Sequence, residues 1–233
     1  MKVLILNGSP RGERSNTLIV TKAFLEGMLG SGKELETEFV TVTKYHIDHC
    51  KGCFCCWQNT PGECIIKDDM KELLQKYIQA DYIIWSFPLY YYGMPSLLKA
   101  FMDRLLPINL PYIGEKEDGT NFHPSRYDLT TQQHILISTC GFCSVENNYE
   151  ALLKQFDILT KGNYVKILCP EGELLQVPQL KPRKDSYLTS VRAAGEELLK
   201  HQCILPETKG ELEALLVPAK QFIEMANTSW KAI

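Results

Sequence analysis

The residues that could do chemistry begin at position 9. Ser9, Arg11, Arg14, Ser15, Asn16 and Thr17 bring three hydroxyls, an amide and two guanidinium groups into one short loop. Together with loop N–H groups and the positive end of a following helix, such a set makes a cradle for a phosphate monoester. The loop spells neither the G-x-G-x-x-G of a pyrophosphate site nor the G-x-x-x-x-G-K-[ST] of a nucleoside triphosphate site. Its hydroxyls suit a terminal phosphate. An ordinary strand-to-helix turn is the alternative, because Ser, Thr and Asn are also the common helix caps.

Two further sets suit a planar ring. Pro88, Leu89, Tyr90, Tyr91, Tyr92 and Gly93 offer a stiff wall, stacking faces and a close backbone approach. Thr139, Cys140, Gly141 and Phe142 supply an opposite lip. The tyrosines could instead pack against a partner chain. His123 and Arg126 sit in a polar stretch, either reaching the site or simply solvated.

The cysteines raise a separate question. Cys50, Cys53, Cys56 and Cys64 spell C-x2-C-x2-C-x7-C, a compact spacing able to wrap four thiolates around a [4Fe-4S] cluster. Cys55 adds an extra thiol within the motif. Zinc usually takes two separated C-x2-C pairs, and free thiols in a loop packed on a neighbouring subunit are the third reading. Cys140 and Cys143 form another C-x2-C, read as structural thiols in preference to a redox dithiol. Trp57, Trp85 and Trp230 read as packing residues.

These residues need elements to position them. Val3 to Leu6 is a continuous apolar run, as in a strand covered on both faces, and Leu18, Val20, Phe24 and Met28 then recur at helical spacing. Leu35 to Thr43 alternates, which suits a sheet edge. Asp68 and Asp69 read as caps of a helix burying Met70, Leu73, Leu74 and Tyr77. Further strands follow at 81–87, 133–139 and 164–169, with helices between them and another over 185–201. The long, aperiodic 107–133 region reads as a lid or partner contact. Alternating strands and helices imply an α/β, doubly wound, five-stranded parallel sheet of order 2-1-3-4-5. The loops after its first, third and fourth strands then meet at the switch point, where ligands bind. The chain reads as a single domain over 1–233, with a core of about 1–170 and extra C-terminal helices over about 171–233.

Composition narrows the class. The 233 residues are 45% hydrophobic and 23% charged, with a net charge of −3. That balance gives no footprint for nucleic acid, and no apolar run approaches the roughly 20 residues needed to cross a bilayer. With no secretory leader and nine cysteines, an odd number, the expected location is the cytoplasm.

The opening MKVLILNGSPR followed by Ser15-Asn16-Thr17 resembles the flavodoxin-like NAD(P)H-dependent FMN reductases. The segment from Cys50 to Met70 is similar to that of the superfamily's iron-sulfur flavoproteins, and Asp81 to Arg104 to the flavin loop of its quinone and FMN reductases. The resemblance implies that Ser9, Arg11, Ser15, Asn16 and Thr17 take the FMN phosphate. It places Leu89, Tyr90, Tyr91 and Gly93 along the isoalloxazine, beside Pro88, Thr139, Cys140 and Gly141. It implies NAD(P)H as co-substrate and a small acceptor such as a quinone, nitro compound or flavin. A [4Fe-4S] cluster on the four cysteines, passing electrons to a ferredoxin-type partner, is the alternative. A homodimer or tetramer is expected. Hydride transfer to a flavin asks for no protein acid or base, so no catalytic residue is assigned.

Overall fold

The computed structural model describes residues 1–231. Trp230 as a side chain and the last two positions lie outside the described part. Five strands form one parallel sheet: β1 (Lys2–Asn7), β2 (Glu36–Thr41), β3 (Tyr82–Pro88), β6 (Gln133–Thr139) and β7 (Tyr164–Cys169). Their order is β2-β1-β3-β6-β7, the flavodoxin-like doubly wound arrangement read from the sequence. Two short strands, β4 (Gly114–Glu115) and β5 (Asn121–Phe122), pair as a separate antiparallel ribbon inside the 107–133 region.

Side-chain alternation along the strands divides the core into two layers. Val3, Ile5, Ile84, Ile135 and Ile167 face α1 (Asn16–Gly30) and α6 (Lys181–His201). Leu4, Leu6, Ile83, Trp85 and Leu136 face the other way, toward α3 (Met70–Gln79), α4 (Ser96–Asp103) and α5 (Glu150–Thr160). The second strand is an edge, as its alternation suggests, with only Val40 and Thr41 buried.

The C-terminal helices belong to this packing. A Cβ built on Gly27 of α1 would stand 1.9 Å from the Arg192 carbonyl oxygen, and one on Gly195 of α6 2.1 Å from that of Phe24. The two helices therefore cross with backbone against backbone. Helix α6 starts at Lys181, four residues before the sequence expectation, because Pro182 suits a first helical turn. The short α2 (Cys55–Gln58), α7 (Pro206–Leu212) and α8 (Ala219–Lys231) complete the α-helices among the described residues. No helix among the described residues is long and apolar enough to cross a membrane.

The capping expectation needs correcting. Asp68 accepts the Met70 N–H at 3.2 Å; Asp69 occupies the N-cap position, but its carboxylate makes no capping bond and instead accepts the His46 N–H at 2.7 Å. Most of the Asp68 carboxylate serves Arg104, a long-range pairing with no local sequence signal.

Candidate functional site

The loop after β1 is held from below by Asn7. Its amide donates to the Gly12 carbonyl at 3.1 Å and to Thr41 Oγ1 at 3.3 Å, while its Oδ1 accepts the Ser9 N–H at 3.2 Å. Ser9 Oγ in turn accepts the Arg11 N–H, also at 3.2 Å, leaving its own hydrogen free to donate. The sequence reading passed over Asn7, although a polar side chain closing an apolar strand was the available signal.

Ser15 stands at the N-cap of α1, yet its side chain makes no capping bond. Its hydroxyl is buried with no partner in the protein. A buried polar group left unpaired costs about 1–3 kcal/mol, so a ligand that accepts from it recovers that energy. The first N–H groups of the helix, which lack intrahelical acceptors, face the same end. Thr17 and Thr139 share one hydrogen bond of 2.7 Å between their hydroxyls, so one of the two hydrogens remains free.

The amide of Asn16 is otherwise engaged: it donates to the Gly172 carbonyl at 2.8 Å and accepts from Gln176. Toward an anion, Asn16 therefore offers its backbone N–H.

These groups line one pocket of about 120 Å³. Ser9, Arg11, Ser15, Asn16 and Thr17 form one wall, Pro88, Leu89 and Tyr90 the second, and Thr139, Cys140 and Gly141 the third. That volume suits a phosphate and part of a polyol chain; a three-ring system extends over the lip. Gly172 and Glu173, from the loop after β7, complete the pocket and were missed from the sequence. The sequence carried no signal for them; only in the fold does a Cβ on Gly172 stand 2.6 Å from that of Thr139.

Two cavities elsewhere are larger, about 370 Å³ between α4 and α5 and about 900 Å³ beside β7. Neither combines helix-end N–H groups with unpartnered hydroxyls at the carboxyl edge of the sheet, and the donor chemistry decides between them.

Tyr91 and Gly93 lie outside this lining. Tyr90 and Gly93 exchange backbone hydrogen bonds of 2.9 and 3.0 Å around a two-residue turn, with Tyr91 and Tyr92 at φ of 50° and 63°. Such positive angles are strained for bulky side chains, and strain of this kind clusters at functional positions. Tyr91 is fully exposed at the tip, and Tyr92 stacks on Phe142 with ring centres 6.1 Å apart. Burial pushes the Cys140 thiol pKa up, which keeps it protonated and suits the structural reading of that C-x2-C pair.

The four motif cysteines also meet. Cys50, Cys53, Cys56 and Cys64 line a small second pocket with Arg104, between the α4 end and a loop held in unusual backbone geometry by Gly52 and Phe54. Among the described residues, no three His, Cys, Asp or Glu side chains converge as ligands of a single metal ion. For a cluster the test is the donor chemistry of the pocket, which is four thiols of one motif facing a buried cation.

Arg104 is that cation. It is 2% exposed, and its side chain forms a fork on Asp68, Nη1 to Oδ2 at 2.7 Å and Nη2 to Oδ1 at 2.9 Å. Nη1 also reaches the Asp48 carbonyl at 2.7 Å, while Nε is buried with no partner. Burial opposes the guanidinium charge, but Asp68 and Cys64 outweigh it and raise the pKa. Burial likewise acts against the Asp68 charge, and the Arg104 fork with two backbone N–H groups keeps its pKa low. Losing one partner of a buried pair costs about 3–5 kcal/mol.

His123 and Arg126 do not line the phosphate pocket. His123 packs on Trp57 at 4.8 Å and bonds the Tyr112 carbonyl through Nδ1 at 2.8 Å. Arg126 lies against Gly62, with Nε donating to the Pro107 carbonyl at 3.4 Å. The 107–133 region thus docks on the cysteine loop.

A doubly wound sheet with a polar loop, a helix N-terminus and an aromatic lip at its switch point defines the chain as a doubly wound protein of the flavodoxin-like α/β class. Residues 1–117, half of the chain, match the family described as NADPH-dependent FMN reductase, and the chain belongs to that family. An iron-sulfur flavoprotein of Methanocaldococcus jannaschii is 38% identical over 112 residues, which cover 48% of this chain and 55% of that one. The chain spans about half the length of the curated relatives it matches. Among solved structures, an FMN-dependent NADH-azoreductase from Bacillus anthracis in complex with FMN superposes with a TM-score of 0.62 at 18% identity, covering 84% of this chain and 98% of that one. An NAD(P)H:quinone oxidoreductase from Methanothermobacter marburgensis superposes with a TM-score of 0.59 at 17% identity, covering 86% and 98%. At such identities these two neighbours speak for the fold.

Proposed function

We propose that this protein is an FMN oxidoreductase that takes electrons from NAD(P)H and passes them to a small acceptor such as a quinone, nitro compound or flavin. The observation that carries the proposal is the buried, unpartnered Ser15 hydroxyl at the start of α1, within a pocket otherwise lined by Ser9, Arg11 and Thr17. Bound FMN supplies the hydride- and electron-accepting chemistry. Ser9, Ser15 and the helix N–H groups hold its phosphate, and Arg11 adds charge from the rim. Pro88, Leu89 and Tyr90 fix the near side of the ring system, with Thr139, Cys140 and Gly141 opposite. The exposed Tyr90–Tyr92 turn and Phe142 support a second copy covering the outer edge of the ring, in keeping with a homodimer or tetramer.

The test is a titration of apoprotein with FMN and with riboflavin, followed by NADH and NADPH oxidation with a quinone. Submicromolar FMN affinity, weaker riboflavin affinity and quinone-dependent oxidation are expected. Equal affinity for the two flavins, or no turnover, would overturn the assignment.

The pocket shared by the four cysteines and Arg104 favours a second reading, electron relay through a [4Fe-4S] cluster to a ferredoxin-type acceptor. The curated iron-sulfur flavoprotein relative supports the same reading. Iron and sulfide assays on anaerobically purified protein separate the two readings, about four irons per chain marking the relay. The cytoplasm is the compartment in which both readings place the protein.

A further inference from the structure

Four cysteine thiols line a pocket that also has two cations, the exposed Lys51 and the buried Arg104, and the buried one is incompletely satisfied. The Arg104 side chain is 1% exposed and its partner Asp68 0%. Three of the five N–H donors are used, both of Nη1 on Asp68 and the Asp48 carbonyl and one of Nη2 on Asp68, which leaves one Nη2 hydrogen and that of Nε. That Nε is buried without an acceptor. Cys64, the last cysteine of the motif, lines the same pocket as this guanidinium. Asp103 also lines the pocket, but its side chain is half exposed and paired with Lys99 at 2.5 Å.

We propose that Arg104 is a positioning residue for an iron-sulfur cluster in this pocket, its Nε–H donating to the thiolate of Cys64. The proposal rests on the cluster reading given above. A guanidinium has five N–H donors in a rigid fork, so a carboxylate can hold the Nη1–Nη2 edge while Nε–H on another edge stays free. A lysine in the same place has its donors on a single nitrogen and no Nε–H edge directed at a second partner. Hydrogen bonds to cluster sulfurs, together with nearby charge, set the reduction potential. The buried cation therefore stabilises the extra negative charge of the reduced form.

The test uses the full chain, reconstituted anaerobically with iron and sulfide and grown on ¹⁵N-arginine. Uptake of neither iron nor sulfide would overturn the cluster reading and this inference with it. With the cluster loaded and reduced, pulsed electron paramagnetic resonance is expected to show one ¹⁵N coupling, which persists when Arg126, the other arginine at the loop, becomes Lys. Absence of the coupling, or its loss in Arg126→Lys, would overturn the role of Arg104 while leaving the cluster in place. Arg104→Lys keeps the charge and removes Nε–H, and its midpoint potential is expected to fall; an unchanged potential would contradict the proposal. Because the labelling experiment needs only wild-type and Arg126→Lys protein, a folding failure of the Arg104 variant leaves the test intact.

Discussion

Ser15 makes opposite demands on the empty and loaded protein, and that separates a ligand role from a structural one. Its hydroxyl caps nothing and bonds nothing, so Ser15→Ala should leave apoprotein unfolding unchanged or slightly more costly. FMN affinity should instead fall about 10- to 100-fold, the worth of a hydrogen bond to a charged group at about 1.5–3 kcal/mol, with riboflavin affinity unchanged. Parallel chemical denaturation and flavin titration check both. His134 gives a second prediction. Burial lowers its pKa from 6.5 to about 4, and the neutral ring accepts the Trp85 indole N–H on Nδ1 at 3.2 Å. Below pH 6.5 the unfolded chain binds a proton that the folded chain refuses, so stability is full above that pH and falls as acid is added, down to about pH 4. The loss is at most about 3 kcal/mol. Unfolding curves against pH should show this slope, and His134→Gln should flatten it. Ser9, Ser15 and Thr17 were legible in the sequence because their hydroxyls crowd beside a helix start. Arg104 was not, because its partner lies 36 positions away and the two side chains meet only in the fold.

Elements carry the next level of the account. The strands were legible from apolar runs, and the fourth and fifth agree with their expected limits. What sequence could not show is how closely α1 and α6 approach, since a glycine in a helix states only that a side chain is missing. Placing a methyl group on Gly195 drives it into the Phe24 carbonyl, and backbone cannot rotate away as a side chain can. Gly195→Ala should therefore cost about 3 kcal/mol or more, at the top of the usual overpacking range, read as a lower urea midpoint. Gly30→Ala, at the end of α1, meets nothing within 4 Å and serves as the control. The tyrosine turn was legible as aromatic surface, but its positive φ angles, which turn Tyr91 away from the pocket, depend on the backbone bonds between Tyr90 and Gly93.

At the scale of the whole molecule, the strand order brings three loops to one edge of the sheet, so that Thr17 and Thr139, 122 positions apart, share a hydrogen bond. Asn16 tied to Gly172 and Thr17 tied to Thr139 show how that edge is closed. The 107–133 region docks through His123 and Trp57 on the cysteine loop, on a different part of the molecule from the phosphate cradle. The molecule thus has two candidate centres, the pocket in which the proposed function seats a flavin phosphate and the pocket lined by four thiols. The measurement that tests the central claim most directly is anaerobic stopped-flow mixing of the FMN-loaded protein with NADPH or NADH. Bleaching of the bound flavin's visible absorbance on the timescale of turnover, followed by recovery when a quinone is added, is the predicted result. A protein that binds FMN tightly but is reduced by neither nicotinamide would contradict it.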